Sequence, residues 1–508
     1  MGFETSIDEH HRRRATALAM GGERKLAARR AKGVLNARER IACLLDDGSF
    51  EEVGLFAVSQ HTSQREETPA DGKVTGFGRI DGREVAVVAY DFTVKGSSSG
   101  PIGERKVGHV KKVATENGLP IVFLGESTGA RMPDIMGGEG MAGLGGPTRF
   151  LRMRETPWIS AVLGNAFGSA AWHAVASDFN VIRKGSVMAV SSPLLISYAT
   201  GEQADPEEVG GWRLHSEVTG FADQVADTDA ESIAVLRRFL SYLPSHHGEP
   251  PPTAAVSDGS EGRAEQVLEI VPEIARKVYD VRKVIDLVAD RDTVLELKPR
   301  FGRSLVTSLC RLRGRTVGVI ANNPMFKGGA VDADACDKAT SFLVLCDSFN
   351  LPLVFLVDQP GFLVGVDAER RRIAGKVINW MNALSLCTVP RIMVVLRKSF
   401  GQAYVNMGGG GTSDEAAAWC TADVSFMDAK AAAAIVAGSG GDERKQQELL
   451  EAMSRDRSAY ALAGAFGVTT VIDPRETRDY LDRVLSIHSR RLTNGVGKHL
   501  MRTWPTSY

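Results

Sequence analysis

The chain has 508 residues, 43% hydrophobic and 24% charged, with a formal net charge of −1 at pH 7. That length exceeds one ordinary hydrophobic core and predicts two domains, while the near-zero charge excludes a molecule steered as a whole to nucleic acid or membrane. Six cysteines without C-x-x-C spacing, and no histidine cluster nearby, exclude a disulfide scaffold or a metal module.

The thiols lie in apolar runs and are expected to be small buried hydrophobes. The opening residues, MGFETSIDEHHRRR, are polar and charged, and no window approaches the ~18 apolar residues of a spanning helix. A cytoplasmic protein is expected. Residues 23–45, ERKLAARRAKGVLNARERIACLL, read as a basic amphipathic helix packed on the surface. EVAVVAY (84–90) and IVFLGE (121–126) are short apolar β-rich runs. Between them, GERKVGHVKKVATENG (103–118) has helical spacing and ends on glycine. Strands alternating with helices of this length predict βαβ units and an α/β class. Two turns of small residues follow strands, KGSSSG (95–100) and NAFGSAA (165–171).

Near the middle, SHHGEPPPTAAVSDGSEGRA (245–264) reads as a linker that separates a first domain, 1–244, from a second, 265–508. The second half repeats the first. Arg79 matches Arg311, Gly82 matches Gly314, Lys95 matches Lys327 and Gly129 matches Gly361, all at an offset of 232. ISAVLGNAFGSAAW from Ile159 then matches IMVVLRKSFGQAY from Ile392 at 233. Beyond that, ASDFNVI from Ala176 is matched to TADVSFM from Thr421, which makes MGGGGTSDEAAAW (407–419) an insertion of about a dozen residues. The halves are a duplicated domain. Their paired turns are KGGAV (327–331) and SFGQAY (399–404).

A strand that ends in small residues exposes backbone N–H groups. Two such turns side by side can offer two donors to one oxygen, as an oxyanion hole does. The same glycines would also serve tight turns and close packing. Glu126 and Asp358 end equivalent strands and are expected to cap the next helix or orient its glycine turn, with paired acids as the alternative. Residues 138–143 fit G-x-G-x-x-G, but they follow RMPDIMG rather than a strand, so the context of a dinucleotide site fails.

Several stretches resemble the carboxyltransferase (β) subunit of biotin-dependent acyl-CoA carboxylases, propionyl-CoA carboxylase β-like members of the crotonase superfamily. They are LNARERIACLLDDGSFEEVGLF from Leu35, DFTVKGSSSG (91–100), ESTGARM (126–132), VDQPGFLVG (357–365) and RKSFGQAY (397–404). The resemblance implies two duplicated crotonase-like βαβ-superhelix domains. It implies transfer of a carboxyl group from carboxybiotin, held on a partner carrier protein, to the α-carbon of an acyl-CoA thioester. The alternative is a decarboxylase or transcarboxylase acting on a malonyl-type CoA thioester. One hole would hold the thioester oxygen and the other the ureido oxygen of biotin, because each oxygen carries the negative charge at one stage.

By the same resemblance, Gly168, Ser169, Gly401 and Gln402 would form the catalytic turns. Gly96, Ser97, Gly129, Ala130, Arg131 and Ala170 would bind acyl-CoA. Because the chain is neutral overall, local cations must meet the CoA phosphates, and Arg131 and Lys95 lie beside these turns. Gly328, Gly329, Gly361, Phe362 and Ala403 would bind biotin. No metal is implied. The chain carries no biotin-carrier or ATP-grasp pattern, so a separate biotin carboxylase/biotin carboxyl carrier subunit is the expected partner. The resemblance implies a homo-oligomer, from dimer to hexamer. At Ser169 and Gln402 the chain departs from the second glycine usual in that family.

Overall fold

A computed structural model describes residues 2–142, 150–274, 276–437 and 443–505. The chain forms two compact units, Met1–His247 and Gly248–Tyr508. The first is built on strands β1 (Glu51–Val53), β2 (Lys73–Ile80), β3 (Arg83–Tyr90), β4 (Ile121–Ser127), β5 (Trp158–Phe167), β6 (Phe179–Arg183), β7 (Val187–Ala189) and β8 (Gln224–Ala226). They lie in the order β1-β2-β3-β4-β5-β6-β8, with β7 beside the end of β5. From β3 onward the pairing is parallel, and the strands are buried on both faces. That explains their near-continuous apolar runs.

The second unit repeats this plan. Its strands are β9 (Leu295–Leu297), β10 (Leu305–Leu312), β11 (Arg315–Asn322), β12 (Leu353–Gln359), β13 (Arg391–Phe400), β14 (Glu415–Trp419), β15 (Asp423–Ser425) and β16 (Thr470–Ile472). The order is β16-β14-β13-β12-β11-β10-β9, with β15 beside β13. The hairpins match in detail. Asp81-Gly82 and Arg313-Gly314 both have positive φ, as a two-residue turn between twisted antiparallel strands requires. Both sheets also carry a register irregularity at one repeat position, between Gly125 and Ser127 and between Val357 and Gln359.

The expected insertion at 407–419 is corrected. Ile159 pairs with Phe179 in the first sheet, and Ile392 pairs with Glu415 in the second. The offset therefore rises from 233 to 236, and only three residues are added there. Residues 415–419, EAAAW, are the strand equivalent to β6. Residues 423–425 match β7 rather than Phe179, because both lie against the end of the long central strand.

A lysine is duplicated too. Lys106, in helix Pro101–Asn117, donates to the carbonyls of Ala70 (2.7 Å) and Lys73 (2.6 Å). Its repeat partner Lys338, in helix Ala333–Ser348, donates to Lys298 (2.8 Å), Phe301 (3.0 Å) and Leu305 (2.8 Å). Burial pushes these amines down to about 8 and about 7, but three carbonyl acceptors need three N–H donors, so Lys338 is held as the ammonium. Each ties its helix to the backbone beneath the first turn.

Residues 248–264 are not a loose tether. Ala254 N–H donates to Gly314 O (2.9 Å), Thr253 bridges Arg315, and the Arg311 guanidinium holds Pro252 O. The basic segment is two helices, Glu23–Ala31 and Ala37–Leu44, the second opened by a capping box from Asn36 and Glu39. Cys310, Cys336, Cys346 and Cys387 are buried, and burial pushes the Cys310 thiol up to about 12. Cys43 and Cys420 are exposed, against expectation, because each faces outward from its apolar run. Among the described residues no helix is long and apolar enough to cross a membrane.

Candidate active site

In the first unit the ends of β3, β4 and β5 bring three small-residue turns together. After β3, Lys95, Gly96 and Ser97 take successive positive φ values of 50°, 63° and 49°. The chain then runs beside the β4 turn. Ser99 N–H donates to Gly129 O (2.8 Å), and Arg131 N–H donates to Ser99 O (2.8 Å). After β5, Gly168 has φ 62° and ψ −128°, and helix Ser169–Val175 begins. A Cβ on Gly168 would sit 3.5 Å from Gly129 Cα, so the turns touch backbone to backbone. Among the described residues nothing accepts from the N–H groups of Ala130 and Ser169. Ala130 is exposed and Ser169 half-buried, so both donors are open to a ligand.

The second unit repeats the arrangement. Lys327, Gly328 and Gly329 have φ values of 53°, 63° and 84°. Val331 N–H donates to Gly361 O (3.0 Å), and Leu363 N–H donates to Val331 O (2.8 Å). Gly361 and Gly401 have φ values of 121° and 65°. Among the described residues the N–H groups of Phe362 and Gln402 have no acceptor. Gln402 is exposed, whereas Ala403 and its counterpart Ala170 are buried.

Two residues that build these turns were not anticipated. Ser127 Oγ accepts from Gly129 N–H (3.1 Å). At the equivalent position, Gln359 Oε1 accepts from Gly361 N–H while its Nε2 donates to Ser399 Oγ (3.0 Å) and Phe400 O (3.1 Å). Each fixes the glycine turn through a side-chain acceptor two residues upstream. The shared repeat position is the signal that could have found them.

Other expectations are corrected. Arg131 is 4% exposed and its guanidinium is paired with Asp71 and with Asp134 (2.7 Å). It braces the turn from inside and has no charge to spare for a phosphate. Lys95 is paired with Glu67. Neither Glu126 nor Asp358 caps a helix; each is held by cations of its own unit. Glu126 is held by Arg29 (2.8 Å) and Arg40 (2.7 Å), and Asp358 by Arg397 (3.0 Å) and Lys398 (2.9 Å). Burial beside Asp358 pushes the Tyr279 hydroxyl well above its usual range. Residues 137–142 form a short helix that follows another helix, and Gly143 lies outside the described residues.

A cavity of about 420 Å³ opens in the first unit, lined in part by Lys25, Arg29, Lys32, Phe92, Asn165 and Arg183. Phe92 lies just ahead of the Lys95 turn, and Asn165 just ahead of Gly168. Arg29 and Arg183 are paired with Glu126 and Asp229, so Lys25 and Lys32 are what make the pocket basic. The sequence offered basic residues here but not their convergence.

Comparisons with known proteins agree on one family. The pattern described as carboxyl transferase domain matches residues 28–497. The chain is 36% identical to the propionyl-CoA carboxylase carboxyltransferase subunit of Haloferax mediterranei, over 98% of this chain and 99% of that one. It is 32% identical to the methylmalonyl-CoA decarboxylase subunit alpha of Veillonella parvula, over 98% of each. The crystal structure of transcarboxylase 12S, a hexamer with methylmalonyl-coenzyme A and methylmalonic acid bound, superposes with a TM-score of 0.89 at 33% identity, covering 96% of this chain and 97% of that one.

Proposed function

Because the chain belongs to the carboxyl transferase domain family, we propose that its two matched turn clusters are oxyanion holes for the two oxygens that gain charge during carboxyl transfer. The chain is an acyl-CoA carboxyltransferase of two crotonase-like domains. The observation that carries the finer reading is the repeat of a free donor pair, Ala130 with Ser169 and Phe362 with Gln402.

The first pair stabilises the thioester oxygen of the acyl-CoA as its α-carbon becomes an enolate. The second would hold the ureido carbonyl of biotin, with the N–H groups of Phe362 and Gln402 as fixed donors to its oxygen. Biotin, carried by a partner subunit, supplies the transferable carboxyl group. This chain's residues orient the two carbonyls and supply fixed N–H dipoles, which need no reorganisation as charge develops. Its glycine turns let each carbonyl reach the backbone. A decarboxylase or transcarboxylase working on a methylmalonyl-type thioester would use the same two pairs, a reading favoured by the Veillonella relative. Assembly as a hexamer is expected from the likeness to transcarboxylase 12S.

The basic pocket beside the first pair is the place for the phosphates of CoA. Lys32 is exposed and lines it. Lys32→Glu is expected to raise the acyl-CoA KM about tenfold, while kcat and the biotin KM stay near the parent values. The reason is that the phosphates bind equally in ground and transition states. Steady-state kinetics with each substrate varied tests it, and a raised biotin KM instead would reverse the assignment of the two units.

A further inference from the structure

The first turn cluster holds a polar chain that the second lacks. Ser169 Oγ lies 2.7 Å from Ser99 Oγ, and Lys73 Nζ lies 3.2 Å from Ser99 Oγ and 3.2 Å from Ser97 O. Lys73 is fully buried on β2, with its amine 4.4 Å from the centre of the Tyr90 ring. At the three equivalent positions the second unit has Leu305, Val331 and Gln402. Leu305 and Val331 cannot carry a proton. A packing device would be expected in both copies, as the Lys106 and Lys338 ties are. This chain stands in one.

We infer that Ser169 is an acyl-accepting nucleophile, with Ser99 and Lys73 relaying its proton, and that the first unit cleaves acyl-CoA thioesters by hydrolysis. The inference rests on the first unit being the acyl-CoA side. A nucleophile needs a base within hydrogen-bond reach, a group that orients the base, and an oxyanion donor at the reacting carbon. Ser169 has all three: Ser99 leads to Lys73, Ser97 O holds the amine, and Ala130 N–H is free.

Burial pushes the Lys73 amine down to about 8, with Glu104 and Asp71 opposing that fall and Arg131 adding to it. A neutral fraction is therefore present near neutral pH. In that form Lys73 takes the Ser99 proton while Ser99 takes the Ser169 proton. Ser169 Oγ bonds to the thioester carbonyl carbon, and the oxyanion rests on Ala130 N–H. Collapse breaks the carbon–sulfur bond, and the departing thiolate receives the proton from Lys73 through the relay. Water then attacks the Ser169 ester by the same route and releases the free acid. The sum is acyl-CoA plus water to acid plus CoA thiol.

The test uses the full-length protein with propionyl-CoA and no biotin. Expected results are CoA thiol release above the buffer rate, an acyl adduct mapped by mass spectrometry to Ser169, and labelling of Ser169 by a fluorophosphonate. Ser99→Ala, compared with the parent below the melting temperature of both, is expected to slow release on the order of 10²-fold by cutting the relay. Ser169→Ala should abolish the adduct. Calorimetric binding of the thioester without release, adduct or labelling would overturn the inference and leave the carboxyltransferase reading standing. Release unchanged in Ser99→Ala would overturn it as well. A thioester that does not bind at all would overturn both.

Discussion

Glu126→Ala is expected to destabilise the first unit by about 3–5 kcal/mol, which is the cost of stranding a buried charge rather than of losing a contact. Glu126 is 6% exposed, accepts from Arg29 (3.0 and 2.8 Å) and is ion-paired with Arg40 (2.7 Å). Arg40 is completely buried and also meets Asp229 (2.9 Å), which in turn holds Arg183 (2.6 Å). Without the Glu126 carboxylate, the three guanidinium groups of Arg29, Arg40 and Arg183 are left with one acid in this network, Asp229. The exposed pair Glu9–Arg12 on the first helix is the contrast, since screened surface pairs contribute about 0–1 kcal/mol. Urea unfolding of the variant, followed by tryptophan fluorescence, checks the value. A loss below about 1 kcal/mol would mean that water enters the network freely. Because Glu126 is next to last in β4, just ahead of the Gly129 turn, activity should fall together with stability.

The largest catalytic effect is expected from removing one N–H at a time. Ser169→Pro deletes a donor from the first pair, and Gln402→Pro deletes its counterpart from the second. Proline is tolerated where a helix begins and its N–H has no partner, and Gln402 already has φ −62°. Each variant should lose roughly 10²–10³ in carboxyl-transfer rate, the usual effect of one oxyanion donor. The partial reactions should separate. Gln402→Pro should keep any exchange of the acyl α-proton with solvent, which proceeds through the enolate in the first hole. Ser169→Pro should lose exchange and transfer together. Hydrogen exchange into propionyl-CoA, read by NMR on variants that melt like the parent, distinguishes them. A Gln402→Pro protein as active as the parent would show that the second turn stabilises nothing.

The duplication was legible because turn backbones dictate their residues. Gly96 and Gly328 share φ 63°, and the unbroken offset follows from matched strands on either side. The register slip beyond β5 was not legible, since EAAAW lacks β-branched residues and comes after the turn-like run GGGGTSD. It reads as insertion, and only pairing with β13 makes it a strand. Arg131 misled for a related reason. Sequence displays its charge but not Asp71, sixty positions upstream, which neutralises it. Ser127 and Gln359 do one job with different side chains, so no identity betrays them. The Lys73–Ser99–Ser169 chain joins residues 26 and 70 positions apart, a closeness that only the sheet creates.

Incubating the chain with carboxyl-labelled methylmalonyl-CoA and free biotin probes whether one hole serves an acyl-CoA and the other biotin. Labelled carboxybiotin and propionyl-CoA should form in equal amounts, and Gln402→Pro should suppress both. Release of label as carbon dioxide at the same rate with and without biotin would contradict the account.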